Sequence, residues 1–164
     1  MQDIRIIIGV IMFVVWCVIF FKTRPKKTTI NELEDFIKQL LNANPENRGF
    51  IVIEGSNKNE FVQFALEKYG LILTWLNVKA QEENLEKAKN FLLAMGYNKC
   101  SEEKITREIF ENLKYRELVQ DAEGIYANAG NNSSEIKELT RSLFKEIFPS
   151  TDLYNLKVEL VLKN

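Results

Sequence analysis

The first apolar segment of the chain runs without a charge from residue 6 to residue 21 and is interrupted only by Gly9. At helical rise these sixteen residues extend about 24 Å, slightly less than the hydrocarbon core of a bilayer. With Ile4 included, and with Arg5 and Lys22 reaching toward the headgroups, the segment attains a spanning length. The pattern predicts a single transmembrane helix, whose membrane residues include Ile6, Val10, Phe13, Trp16 and Phe20.

Basic residues set the orientation of this predicted helix. Only Arg5 precedes it, whereas a basic collar follows it, formed by Lys22, Arg24, Lys26 and Lys27. Because the positive side of a membrane segment is cytoplasmic, we expect a single-pass protein of the cell membrane. Residues 1–27 are then the anchor and collar, and residues 28–164 are a cytoplasmic domain. A cleaved signal peptide and a buried core helix are the alternatives. Residues 1–5 carry no net charge, and bulky basic residues rather than a small-residue cleavage site follow the apolar segment, so a signal peptide is disfavoured.

The segment after the collar changes from helical spacing to strand-like alternation. Thr29 and Glu32 form an N-cap pattern, and apolar residues then recur on one helical face until Asn44–Pro45. Apolar, β-branched segments with polar turns between them follow, which predicts an antiparallel meander of three strands over residues 49–79. Both faces of the first and third strands are apolar, which indicates burial on each side or one face reserved for a partner.

Two stretches after the meander have clear helical spacing. One begins at Glu82 and Glu83 and stops at Gly96. The other follows Asn131–Ser133 and is stopped by Pro149. Both are predicted to be amphipathic helices.

Residues 101–130 fit two patterns. Either a helix capped at Ser101 is followed by a small hairpin around residues 121–124, or one long helix continues to about Ala122. Residues 156–162 alternate between apolar and charged, which indicates a half-buried edge strand at the C-terminus. The order of elements predicts an α+β fold: an antiparallel sheet with helices packed on one face, preceded by the transmembrane helix.

The chain of 164 residues contains no histidine. This excludes Ser-His and Cys-His pairs, histidine metal ligands and an imidazole base at neutral pH. The net charge of −1 divides into +4 for residues 1–27 and −5 for residues 28–164. An acidic domain argues against nucleic acid as a partner and is held off anionic headgroups, whereas the basic collar is attracted to them.

The carboxylates and thiols have ordinary structural explanations. Glu82–Glu83 and Glu102–Glu103 fit helix starts, and Asp121 with Glu123 fits a turn, because two carboxylates are too few for Ca²⁺. Cys100 has no disulfide partner in the domain and is interpreted as a chance thiol rather than a reactive one. Phosphate-binding glycine loops, nucleophile elbows and paired-cysteine spacings are absent from the sequence. We therefore expect no catalytic residue, metal, cofactor or small-molecule substrate.

The meander contains a short motif that resembles a known family. Residues 49–54 read Gly-Phe-Ile-Val-Ile-Glu, residues 60–65 read Glu-Phe-Val-Gln-Phe-Ala, and residues 70–75 read Gly-Leu-Ile-Leu-Thr-Trp. With the helices and closing strand that follow, residues 28–164 resemble the TY-chaperone group of type III secretion chaperone-like domains. Trp75 departs from the family, whose strand usually continues into an acidic residue, and the membrane helix is not part of that domain. The resemblance implies a fold that binds protein segments without known catalysis, and it carries no site residues across.

Aromatic and apolar strand residues are the candidate contacts with a partner. Trp75, with Phe61 and Leu73, lies in the predicted meander, where such side chains belong either to the core or to an exposed groove. In the second case, one sheet face or an edge strand accepts a protein segment by strand addition or hydrophobic anchoring. The sequence is interpreted as a membrane-tethered, non-catalytic protein-binding domain, chaperone-like or adaptor-like, at the cytoplasmic face.

Three other functions stay open at this point. An immunity-type neutraliser would use the acidic surface to block a basic toxin. A structural subunit of a membrane complex would pack Gly9 and its neighbours against other spans. A hydrolase without histidine would need clustered carboxylates with perturbed pKa values in a cleft.

Overall fold

The computed structural model describes residues 25–47, 49–76, 78, 82–100 and 107–162. The helices of this part are α1 (Leu33–Leu41), α2 (Glu82–Ala94), α3 (Arg107–Asn112) and α4 (Ser133–Ile147), with a short 3-10 helix at Pro45–Asn47. The strands are β1 (Lys26–Thr28), β2 (Phe50–Glu54), β3 (Phe61–Glu67), β4 (Gly70–Leu76), β5 (Asn98–Lys99), β6 (Glu117–Gln120), β7 (Gly124–Gly130) and β8 (Leu156–Val161). The predicted α+β class is confirmed.

The eight described strands form one sheet in the order β1-β8-β2-β3-β4-β7-β6-β5. All neighbours are antiparallel except β5 and β6, which are parallel. The meander of β2, β3 and β4 is confirmed. The prediction that the C-terminal strand lies at an edge is wrong, because β8 lies between β1 and β2. Alternation of apolar and charged residues indicates that one face of a strand is buried, but it does not indicate which strands lie beside it.

The main hydrophobic core lies between one face of the sheet and the three longer helices. Alternate strand residues such as Ile53 and Phe64 point into it, together with Ile37 of α1, Leu92 of α2 and Leu143 of α4. All five side chains are fully buried. The prediction from helical spacing that these three helices pack on one face of the sheet is therefore confirmed.

A smaller hydrophobic cluster lies on the other face. Ile72 of β4 packs there with Leu113 and Val119, and Ile109 of α3 covers them. The prediction that helices occupy one face is therefore correct for α1, α2 and α4 and wrong for α3. The six residues of α3 make fewer than two helical turns, too few for their spacing to indicate a side.

The hairpin predicted within residues 101–130 is confirmed, because β6 and β7 pair across a turn. The alternative, one long helix to Ala122, is wrong, since β6 already begins at Glu117. The carboxylate of Asp121 accepts hydrogen bonds from the backbone N–H groups of Glu123 at 2.8 Å and Gly124 at 3.1 Å. This Asx-type turn is the structural role expected for Asp121. The predicted cap at Ser101 lies outside the described residues.

Capping features lie at or near the boundaries of the three longer helices, although the N-cap of α1, Glu32, makes no side-chain capping hydrogen bond. In the turn before α1, the Glu32 carboxylate accepts a hydrogen bond from the backbone N–H of Thr29 at 3.0 Å, as in a capping box. The Asn132 side chain accepts hydrogen bonds from the N–H groups of Ser134 and Glu135 at the start of α4. Gly96 follows α2 with a φ of +86°, the left-handed conformation that ends helices.

The predicted membrane segment, residues 6–21, lies outside the described residues, as do Lys22 and Arg24 of the collar. Within the described ranges, no helix combines the length and apolarity needed to cross a bilayer. Lys26 and Lys27 are exposed residues of β1, so this part of the predicted collar belongs to the sheet and is not a separate linker.

An ion-pair cluster joins α1 to α4. The Glu34 carboxylate accepts a hydrogen bond from Lys137 Nζ at 2.7 Å and pairs with Lys38 Nζ at 3.0 Å. Hydrogen bonds from Lys137 and then Lys38 lower the pKa of Glu34 to about 2. The ionised carboxylate therefore favours the docked arrangement of the two helices.

We expect Lys137→Met to reduce the acid sensitivity of unfolding. Because the pKa of Glu34 falls from 4.5 to about 2 on folding, its contribution to stability is present above pH 4.5 and is lost toward pH 2. Urea unfolding between pH 7 and pH 2 should show a shallower loss of stability over this interval in Lys137→Met. Lys145→Met, an exposed lysine of the same helix, should keep the wild-type slope. The same slope in all three proteins would contradict this role.

Candidate binding surfaces

Trp75 and Leu73 lie on the helix-covered face of β4. Both side chains are fully buried in the main core. The Trp75 indole stacks on Phe148, with ring centroids 5.7 Å apart and an interplanar angle of 11°. Buried side chains offer no surface to a partner, so the expected contact through Trp75 and Leu73 is corrected to a role in the core. In a strand with two apolar faces, the sequence does not show which face the helices cover.

Phe61 lies on the opposite face of the sheet. The register of β2 and β3 places Phe50 opposite Ala65 and Phe61 opposite Glu54 on this face, with Val52 between them. The apolar side chains at these positions are half-buried, so part of each is accessible to solvent. We call Phe50, Val52, Phe61 and Ala65 the open face.

Polar residues flank the apolar centre of the open face. Val52 lies between Gln63 of β3 and Glu159 of β8 in the register of the sheet. Glu54 lies opposite Lys157 at the end of β2. Partly exposed apolar and aromatic residues inside a polar rim are typical of protein interfaces. The open face is therefore suited to anchoring an apolar segment of another protein.

The edges of the sheet are less suited to binding. Among the described residues the edge strands are β1, with three residues, and β5, with two. Short edge strands give an added strand few partners for backbone hydrogen bonds. Of the two predicted modes, hydrophobic anchoring on a face is therefore favoured over strand addition.

The carboxylates of the described ranges do not cluster into a metal site. No group of three or more Cys, Asp and Glu side chains there is placed to hold a metal ion. Glu82 and Glu83 lie in the first turn of α2, as predicted, whereas Glu102 and Glu103 lie outside the described residues.

Hydrogen bonds to the Glu60 carboxylate connect the loop after β2 to the segment after α4. Its carboxylate accepts hydrogen bonds from Asn57 Nδ2 at 2.8 Å and Thr151 Oγ1 at 2.7 Å. Burial alone would raise the pKa of Glu60, but hydrogen bonds from Asn57, Thr151 and Ser150 outweigh it and lower the pKa. A carboxylate held ionised in this way is a poor general acid at neutral pH.

Burial affects the pKa values of the Cys100 thiol and the Tyr97 phenol. Cys100 is half-buried beside the smaller cluster, and burial raises its pKa, so the neutral thiol is favoured. Burial raises the pKa of Tyr97 to about 12. Both groups are therefore uncharged at neutral pH, which agrees with a packing role.

Sequence reasoning missed three residues of the open face, namely Phe50, Val52 and Ala65. The sequence feature that could have identified them is the presence of apolar residues on both faces of β2 and β3, at the buried and at the half-buried alternate positions. It also missed Asn128, which is fully buried. The Asn128 Nδ2 donates to the carbonyl of Leu113 at 2.6 Å, and its Oδ1 accepts from the N–H of Gly130 at 2.7 Å. A single asparagine in a strand does not indicate, from the sequence alone, that its side chain makes these two hydrogen bonds.

No protein-family model matches the chain, and no curated protein or solved structure is significantly similar to it. The function is therefore inferred from the residues of the chain itself.

Proposed function

We propose that the chain is a membrane-tethered, non-catalytic protein-binding domain, chaperone-like or adaptor-like, that presents its partner at the cytoplasmic face of the cell membrane. The observation that carries the proposal is the open face. Its apolar side chains are partly accessible in the middle strands of a large sheet, where an apolar partner segment would cover them. We also propose that residues 28–164 belong to the TY-chaperone group, on the motif of residues 49–54, 60–65 and 70–75.

The tether is supported by the apolar residues 6–21 and the basic residues that follow them. Because β1 begins at Lys26, only residues 22–25 separate the proposed span from the sheet. Four residues reach at most about 14 Å. The domain is thereby confined to the immediate neighbourhood of the bilayer, and a partner bound to it is held there too.

The proposed partner contributes an apolar segment to the open face. Phe61 and Phe50 provide aromatic area, which carries much of the binding energy in protein interfaces. Val52 lies at the centre, opposite Gln63 and Glu159. A partner segment with spaced apolar residues would cover this centre and leave the flanking polar groups hydrated.

Site-specific photo-crosslinking tests this proposal. A photoreactive phenylalanine analogue is placed at position 61 of the full chain in native membranes. We expect a discrete adduct with one protein, because Phe61 is partly accessible on the open face. The same analogue at position 154 is the control, since Tyr154 is aromatic and highly exposed but precedes β8 in a loop. Position 154 is expected to give no such adduct.

Val52→Lys is the matched loss-of-binding variant. The new ammonium would lie in the centre of the apolar contact, and desolvating it opposes binding. The variant should stay folded, because the introduced lysine would lie beside Glu159 in the register and its stem is apolar. Unaltered circular dichroism with loss of the adduct from position 61 is the expected result.

An acidic surface favours an immunity-type neutraliser as the second candidate. Glu54 and Glu60 flank the loop after β2, and Asp121 and Glu123 lie in the turn after β6 at the same end of the sheet. A basic toxin would be attracted to these carboxylates. The same photoreactive analogue can be placed at position 58, in the loop after β2. An adduct between this position and a basic protein, with no adduct from position 61, would favour this candidate.

A further inference from the structure

The open face is one part of a larger surface, the side of the sheet opposite the main core. On β4, the neighbour of β3, Ile72 and Thr74 project to this side and are buried. Ile109 of α3 packs on the cluster that contains Ile72. The chain itself therefore supplies a helix to one half of this surface, whereas the apolar residues of β2 and β3 in the other half stay partly accessible.

The open face has the dimensions of a single helix. Its apolar residues run along the strands from Phe61, which lies opposite Glu54, to Phe50, four residues before Glu54. This length is about 14 Å at the rise of an antiparallel strand. The width from β8 to β3 is two strand spacings, about 10 Å, which is close to the diameter of an α-helix with its side chains. One helix lying along the strands would cover the face.

Backbone hydrogen bonding distinguishes a helix from an extended segment on this face. Pairing with neighbouring strands on both sides occupies the backbone groups of β2 and β3, so the face presents side chains only. An extended segment pressed against it would remove part of its own backbone from water without gaining partners, which costs free energy. A helix satisfies its backbone internally. The open face therefore favours a helical segment.

The two long borders of the open face differ in charge. Toward β8 the border carries both signs, because Lys157, Glu159 and Glu54 project to this side of the sheet. Toward β4 it is uncharged where Gln63 lies opposite Thr74. A complementary segment has an apolar stripe, charges of both signs on one flank and uncharged residues on the other. This is the pattern of an amphipathic helix.

We infer that the open face binds an amphipathic α-helix of the partner, which lies along β2 and β3 on the same side of the sheet as α3. The inference rests on the proposed function and names the kind of segment that the partner contributes. Apolar residues at every third or fourth position of this helix would contact Phe61, Val52 and Phe50 in turn. About nine residues of the helix separate its contacts with Phe61 and Phe50, at a rise of about 1.5 Å per residue.

The spacing of crosslinks along the partner tests the inference. The photoreactive phenylalanine analogue is placed at position 61, 63 or 50 of the full chain in native membranes, and the crosslinked partner residue is identified by mass spectrometry. All three side chains project onto the open face. Relative to the residue captured from position 61, a helix predicts shifts of about four to five residues from position 63 and about nine from position 50. An extended segment predicts shifts of about two and four.

A proline substitution in the partner provides a second measurement. Proline midway between two crosslinked residues interrupts a helix, so all adducts should be lost, whereas alanine at the same residue should keep them. Retention of the adducts with proline in place would overturn the helical segment. Gln63 is polar and half-buried, so positions 61 and 63 suffice if a substitution at Phe50 disturbs folding.

The outcomes separate this inference from the proposed function. Shifts of about two and four residues would overturn the helical segment and leave the open face as a binding surface. No adduct from any of the three positions, in chains with unaltered circular dichroism, would overturn both. An adduct with a second copy of the chain, or within the chain itself, would also overturn both.

Discussion

Replacing Trp75 with alanine should destabilise the domain by about 3–5 kcal/mol. The indole is fully buried and stacks on Phe148, which itself packs on Phe144 of α4 at 5.9 Å between ring centroids. Its removal would leave a large cavity between β4 and the end of that helix. Domains of this size are stable by about 5–15 kcal/mol, so urea unfolding should show a greatly lowered midpoint.

Trp75→Phe is the matched control. It keeps an aromatic ring against Phe148 and removes the Nε1–H, which has no hydrogen-bond acceptor among the described residues. Losing an unsatisfied buried donor offsets part of the lost volume, so this variant should unfold closer to wild type. If Trp75→Ala were as stable as wild type yet lost its partner, Trp75 would be a contact residue and the placement of the core would be wrong.

Gly70→Ala should destabilise the domain by roughly 3 kcal/mol or more. Gly70 has a φ of +128°, which a residue with a Cβ rarely adopts. The added Cβ would also lie 2.6 Å from the carbonyl carbon of Gly130. That atom is backbone in β7, so relief requires β4 and β7 to separate at this end. Thermal unfolding should show a large decrease in the midpoint.

Gly96→Ala measures the destabilisation that a positive φ causes by itself, without a steric contact. Gly96 also has a positive φ, +86°, but the nearest atom to an added Cβ is Arg116 Nη1 at 3.6 Å, an ordinary contact. Only the conformational cost remains, about 1 kcal/mol. Equal destabilisation by the two substitutions would show that the contact between Gly70 and Gly130 is unimportant.

Local patterns were sufficient for most elements of the fold. The helices at Leu33–Leu41, Glu82–Ala94 and Ser133–Ile147 bury apolar residues at helical spacing and begin or end at recognisable capping residues. The place of β8 between β1 and β2 depends instead on pairing between distant parts of the chain. The three residues of β1, Lys-Lys-Thr, contain no apolar alternation, so the sequence does not indicate a strand there and places Lys26 and Lys27 in the collar.

The candidate site was less predictable for a related reason. Trp75 and Phe61 are both aromatic residues of the meander, yet they lie on opposite faces of the sheet. The sequence showed that both faces are apolar, but which face is covered depends on where the helices pack. Trp75 is consequently a core residue, whereas a role for Phe61 in binding stays a prediction.

We propose that the open face binds a protein at the membrane. The most direct measurement compares the yield of the photo-crosslinked adduct from position 61, in native membranes, with and without Val52→Lys. We expect one discrete adduct from position 61, its loss in the folded Val52→Lys variant, and none from position 154. Adducts of equal yield and composition from positions 61 and 154, unaffected by Val52→Lys, would contradict the claim.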